Sequence, residues 1–217
     1  MSRVYVFAMT GGIVPAFEWQ GRRVECVRVG RLTAAIERID RRPPVAETAL
    51  RAQHEIVMQL AASVDAILPV RFGALIEEAE LEQLIATRGE ILARALDVVR
   101  GRIQMTVRIR ERVEQQAPAV PRAASAAPSG TAYLEARRAA ASGCPSTEAA
   151  AVDAAVGSLA AASLHDRRED RNITSVYHLI ARDAVDDYRR ALTALPSSRL
   201  VVTGPWPPFA FAPDLWP

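Results

Sequence analysis

RIQMTVRIR, residues 102–110, alternates Ile103, Met105, Val107 and Ile109 against Arg102, Gln104, Thr106 and Arg108. A period of two sustained over this length predicts a strand with one covered and one wet face. Gly101 stands directly before it, where glycine commonly ends a helix, and the helical pattern it ends runs from 77 to 99 with Leu81, Ile85, Leu92, Leu96 and Val99 on one stripe. A strand opening immediately after a helix stop marks a boundary. It predicts one domain over 1–100 and a second over 101–217.

Upstream, RVYVFAM at 3–9 and RVECVRV at 23–29 read as strands. Residues 33–39 read as a short helix that Pro43 and Pro44 stop. Residues 45–64 read as a helix whose inward stripe is Leu50, His54, Val57, Ala61 and Val64. AILPVRF at 66–72 is a short apolar run of strand type, and Gly89 predicts a break near Arg88 in the 77–99 helix, at about 1 kcal/mol relative to alanine.

Downstream, QQAPAVPRAASAAPSG at 115–130 is low in complexity and reads as a mobile loop. TAYLEARRAAA at 131–141 and an alanine-rich run at 146–164 read as helices, and HDRREDR at 165–171 as a solvated turn. A strand follows at 172–182, then an amphipathic helix at 183–195 with Val185, Tyr188, Leu192 and Leu195 inward, then a strand at 198–202. Pro205, Pro207 and Pro208 lack backbone donors and predict that this last strand stops there. Strands mixed with helices, without strict βαβ alternation, predict an α+β protein of two small domains.

Composition excludes several functions. Half of the 217 residues are apolar and 24% charged, the balance of a soluble protein, and no apolar run nears the roughly 20 residues of a membrane span. With no secretory signal at the start, a cytoplasmic location is expected. A net charge of +2 offers no basic field for nucleic acid or a lipid membrane. Every basic residue is arginine, so a Walker-type phosphate loop, a Schiff-base lysine and a lysine general base are all excluded. Cys26 and Cys144 alone cannot make a four-ligand zinc site; Cys26, within a strand pattern, reads as a buried, inert thiol. No cofactor, metal or catalytic residue is expected.

The C-terminal run VVTGPWPPFAF, 201–211, is the chain's most unusual stretch. Its prolines stiffen it before it meets anything, so ordering Trp206, Phe209 and Phe211 costs little entropy. Together with VYVFAM at the start, His54 leading into ILPVRFG at 67–73, and GTAYL at 130–134, the TGPWPPFAF ending resembles the gas vesicle protein GvpL/GvpF family. The likeness spans nearly the whole chain, with Thr131 in place of a usual lysine and Ala74 in place of a threonine. It implies a non-enzymatic accessory protein of gas vesicle assembly, located at the vesicle and in the cytoplasm. Its implied partners are the hydrophobic shell protein and other gas vesicle proteins, with self-association left open. It also implies a ferredoxin-like variant as the first domain, and for the second an α+β sheet domain ending in the proline and aromatic segment. The family-motif positions are His54, Pro69, Arg71, Phe72, Gly73, Tyr133, Gly204, Pro205, Trp206, Pro207, Pro208, Phe209 and Phe211.

Each of these has a plain reading. His54 is expected on a buried helix stripe, hydrogen-bonded to a carbonyl or carboxylate, because no base partner or third metal ligand accompanies it. Phe72 is expected in the core and Gly73 in a turn. Arg71 is expected to pair with Asp65 or a glutamate of 77–82, or to meet a partner. Trp206 and Phe209 are expected to pack back on their own sheet, and 211–216 to face outward. The alternative function is a ferredoxin-like RNA- or small-ligand-binding module, which would need Tyr5, Phe7 or Tyr177 on an exposed sheet face.

Overall fold

The computed structural model describes residues 3–30, 32–110, 147–195 and 199–214. The loop at 115–130, the helix expected at 131–141, Tyr133, Cys144 and Trp216 lie outside them. The described chain is α+β, with two sheets and helices of both short and long type. It divides into two compact units. The first comprises residues 3–104, 179–182 and 205–214, and the second the described residues between 105 and 178 and between 183 and 204. The C-terminal segment from Pro205 thus belongs to the first unit.

The first unit opens with four strands, β1 (Arg3–Thr10), β2 (Phe17–Trp19), β3 (Arg22–Val29) and β4 (Leu32–Arg38). Then come helix α1 (Glu47–Ser63), β5 (Ile67–Pro69), β6 (Leu75–Glu77) and helix α2 (Glu78–Val99). The strands run in the order β2-β3-β4-β1-β5, with β6 also on β1, and the recorded pairings are antiparallel. Between β2 and β3, Trp19 faces Arg22 across Gln20 (φ 47°) and Gly21 (φ 78°), the two left-handed residues that match a tight hairpin to strand twist.

Residues 33–39 are therefore not a helix. β4 pairs with β1 and β3 and is buried from Leu32 to Glu37, and a strand covered on both faces shows no alternation to read. β1 is likewise buried from Val4 to Thr10. Tyr5, Phe7, Val24 and Ala35 form one core with Ile56, Val57, Leu60 and Val64 of the α1 region. The inward face of α1 is thus rotated from the expected stripe: Gln53, Ile56, Val57 and Leu60 are buried while Leu50 is 45% exposed. α2 buries the stripe expected of it and runs unbroken through Gly89.

The remaining elements are β7 (Arg102–Arg110), α3 (Thr147–Val156), β8 (Ala160–Arg168), β9 (Ile173–Ala181), α4 (Val185–Thr193) and β10 (Leu200–Trp206). They form a sheet in the order β10-β7-β9-β8. β7 is not half wet, since Gln104 and Thr106 are buried along with Met105, Val107 and Ile109. The alanine-rich helix stops at Val156, and 160–168 is a strand, so most of HDRREDR is strand rather than turn, with a 3-10 turn at Glu169–Arg171. Of the inward set of α4, Tyr188 and Leu192 are buried, while Val185 and Leu195 are only partly covered. β10 continues through Gly204 and Pro205 to Trp206, beyond its expected stop. Among the described residues it is an edge strand, where a proline leaves no ladder bond unmade, and Gly204 takes a φ of 118° that side chains avoid.

Candidate binding surface of the first unit

The C-terminal segment is laid on the first unit by contacts of different kinds. The Trp206 ring meets the His54 ring edge to face, with centroids 5.5 Å apart. Pro207 and Pro208 are buried. The chain then tightens into the 3-10 turn Phe209–Phe211, with Phe209 N–H donating to Pro207 O (2.7 Å) and Phe211 N–H to Pro208 O (3.1 Å). This turn lies against β5. The Ala210 amide donates to Oε1 of buried Gln104 at 2.8 Å. At the far end Arg71 Nη1 lies 3.1 Å from Asp214 Oδ2.

His54 is therefore an aromatic contact on the flank of α1, partly covered, and not a member of the buried stripe. Arg71 pairs with Asp214 and with neither Asp65 nor an acid of 77–82, and both partners are more than half exposed. Nothing in the sequence around Asp214 marks it, because the two residues meet only when the tail is down. Phe209 is 39% exposed and Phe211 is partly covered, the reverse of the expected order. The polar grip of Gln104 was also missed, since its place in an alternating strand assigned it to water.

Beneath the tail, ILPVRFG does structural work. Pro69 is buried in β5 opposite Ala8, and Val70 N–H donates to Phe7 O at 2.9 Å. Phe72 is partly covered, its ring edge-on to Tyr5 at 6.3 Å. Gly73, at φ 94°, donates its N–H to the Tyr5 hydroxyl at 3.0 Å. Burial pushes the pKa of that hydroxyl up, so it stays protonated and donates to Gln53 Oε1, while Gln53 Nε2 donates to Val70 O at 2.8 Å.

The other readings meet clear geometry. Tyr5 and Phe7 are 1% and 0% exposed, so β1 offers no ring on which an RNA base can stack. Cys26 is partly covered, and burial pushes its thiol pKa up, away from the reactive thiolate. Among the described residues no helix is long and apolar enough to cross a membrane, and no group of His, Cys, Asp and Glu side chains is placed to hold a metal.

This two-sheet α+β fold is shared with solved gas vesicle proteins. The structure is similar to GvpF from Microcystis aeruginosa (TM-score 0.71, 12% identity, covering 97% of this chain and 99% of that one). It is similar in the same degree to GvpF from Anabaena sp. PCC7120 (TM-score 0.70, 15% identity, 98% and 99%). No curated protein sequence matches the chain. The family of the gas vesicle synthesis protein GvpL/GvpF matches residues 3–213, and the chain belongs to that family. It is a gas vesicle assembly protein, in a family of structural and assembly proteins that is not a known enzyme family.

Proposed function

We propose that this chain works in gas vesicle assembly by binding, without catalysis, and that its direct partners include the hydrophobic shell protein and other gas vesicle proteins. Its place is then at the vesicle and in the surrounding cytoplasm. The observation that carries this reading is the C-terminal segment. Pro207 and Pro208 are buried on the first unit, while Phe209, in the 3-10 turn that follows, is 39% exposed. The flank of α1 adds Leu50, 45% exposed, and Met58, 36% exposed. Rigid aromatic anchors lose little entropy on association, and an apolar surface suits an apolar partner.

The test is capture of the shell protein from a vesicle-forming host, comparing the wild-type chain with Phe209→Ala. A ring this exposed contributes little to folding, so the variant should melt within a few degrees of wild type while capturing severalfold less shell protein. Equal capture by the folded variant would remove Phe209 from the binding surface.

A further inference from the structure

The second unit contains a chain of titratable groups that vesicle assembly does not explain. The Asp153 carboxylate of α3 lies between two imidazoles, with Oδ1 2.9 Å from His178 Nε2 on β9 and Oδ2 2.9 Å from His165 Nε2 on β8. Ser163 of β8 donates to Asp153 Oδ1 at 3.1 Å and lies 3.2 Å from His165 Nε2. The other nitrogen of His178, Nδ1, is 2.7 Å from the Tyr188 hydroxyl of α4. This is no serine–histidine–aspartate relay, because Ser163 and Asp153 meet the same nitrogen of His165 and a relay needs both nitrogens.

From this geometry we infer that the Asp153–His178–Tyr188 chain is a proton-sensitive clamp that holds α3 on its sheet near neutral pH and releases it in mild acid. His178 is wholly buried and both its ring nitrogens are engaged. In the neutral ring Nε2–H donates to Asp153 and Nδ1 accepts from Tyr188, so every polar atom is satisfied. Burial raises the Tyr188 pKa, which keeps its hydroxyl a donor. A second proton on His178 makes Nδ1–H a donor, so the Tyr188 hydroxyl must turn to accept and loses the acceptor for its own proton, and it places a cation at a buried ring.

The groups facing His178 are Asp153 from α3, His165 from β8 and Tyr188 from α4. Burial foremost, with His165 adding to it, lowers the His178 pKa in spite of the Asp153 carboxylate, which raises it. The sign follows. The opened state has an ordinary imidazole and takes up a proton that the closed state refuses, so closure is fully present above the ordinary histidine value. It is lost progressively as pH falls below that value.

α3 is the element expected to yield. It is short, and the side chains it buries are only Ala149, Val152 and Val156, so little apolar area opposes its opening.

Hydrogen exchange on the full chain, read by mass spectrometry at pH 7.5 and 5.5 and corrected for chemical exchange, tests this. Protection across 147–156 should fall up to about tenfold between pH 7.5 and 5.5, while β1 and β4 keep theirs. Unchanged protection of α3, or an equal loss across the whole chain, overturns the clamp. The double variant His178→Leu with Tyr188→Phe removes the titrating ring together with the hydroxyl it satisfies, and should make α3 protection independent of pH. Loss that persists in this variant overturns the proposal. If the variant does not fold, an NMR titration of the wild-type ring decides. Protonation of His178 below the free-imidazole midpoint, in step with α3 opening, supports the clamp, and protonation with α3 still closed overturns it.

Discussion

The Tyr5 hydroxyl is a junction between strand, helix and loop. It donates to Gln53 of α1 and accepts from the Gly73 amide at 3.0 Å, and its ring is edge-on to Phe7 at 5.1 Å and to Phe72 at 6.3 Å. Every member of this network is satisfied, which makes its interruption costly. Tyr5→Phe keeps the ring but strands the Gln53 carbonyl oxygen and the Gly73 N–H in the interior. The expected loss is about 2–3 kcal/mol, more than the roughly 1 kcal/mol of one typical hydrogen bond. Urea unfolding should show a lower midpoint at unchanged slope. A change under about 0.5 kcal/mol would mean that water replaces the missing oxygen. Sequence periodicity cannot find such a junction, because it scores Gln53 as polar and turns the helix so that Leu50 and His54 point inward. The hydrogen bonds that Gln53 accepts from Tyr5 and donates to Val70 O hold it the other way.

At the scale of elements, what could be read depended on how each element is covered. α2 packs one stripe, and its five buried residues stand out at helical spacing. Gly89 was expected to interrupt it, yet the helix continues with Ile85 Cγ2 the nearest atom to an added Cβ, at 4.0 Å. Gly89→Ala has room and removes a helix-interior glycine, so it should stabilise by about 0.5–1 kcal/mol and raise the melting midpoint by a few degrees. A fall instead would show that the added methyl group is not accommodated beside Ile85. β4 and β8 fail for opposite reasons. Ala34 and Ala35 favour helix intrinsically, and pairing with β1 and β3 in a buried sheet overrides that preference. In β8 the alanines of 160–162 extend the preceding helical composition. The turn at 157–159, where Leu159 N–H donates to Val156 O at 2.8 Å, ends the helix without a proline to announce it. β8 is an edge strand among the described residues, and the charges Asp166, Arg167 and Arg168 are the kind that discourage edge-to-edge pairing.

At the scale of the whole molecule, one segment both packs with the first unit and leaves Phe209, the anchor proposed above, 39% exposed. The family resemblance was legible in that segment, but its direction of packing was not, since the contacts that set it are remote in sequence. Gln104, His54 and Arg71 receive Ala210, Trp206 and Asp214 respectively. These contacts differ in weight. The Arg71–Asp214 pair is exposed and contributes no more than about 1 kcal/mol. Burying Pro207 and Pro208, covering part of Trp206 and satisfying Gln104 Oε1 contribute more, on the order of 3 kcal/mol together. That is a large part of the 5–15 kcal/mol typical of a domain, but not all of it. A chain ending at Gly204 should therefore still fold its first unit, with a melting transition lowered by roughly 10 °C in the signal of Trp19. Vesicle formation in a host carrying only this shortened chain should fail. Arg71→Ala, which breaks only the exposed pair, should leave the melting transition within a degree or two. A shortened chain that melts normally and still supports vesicles would show that the segment neither braces the first unit nor carries its partner surface.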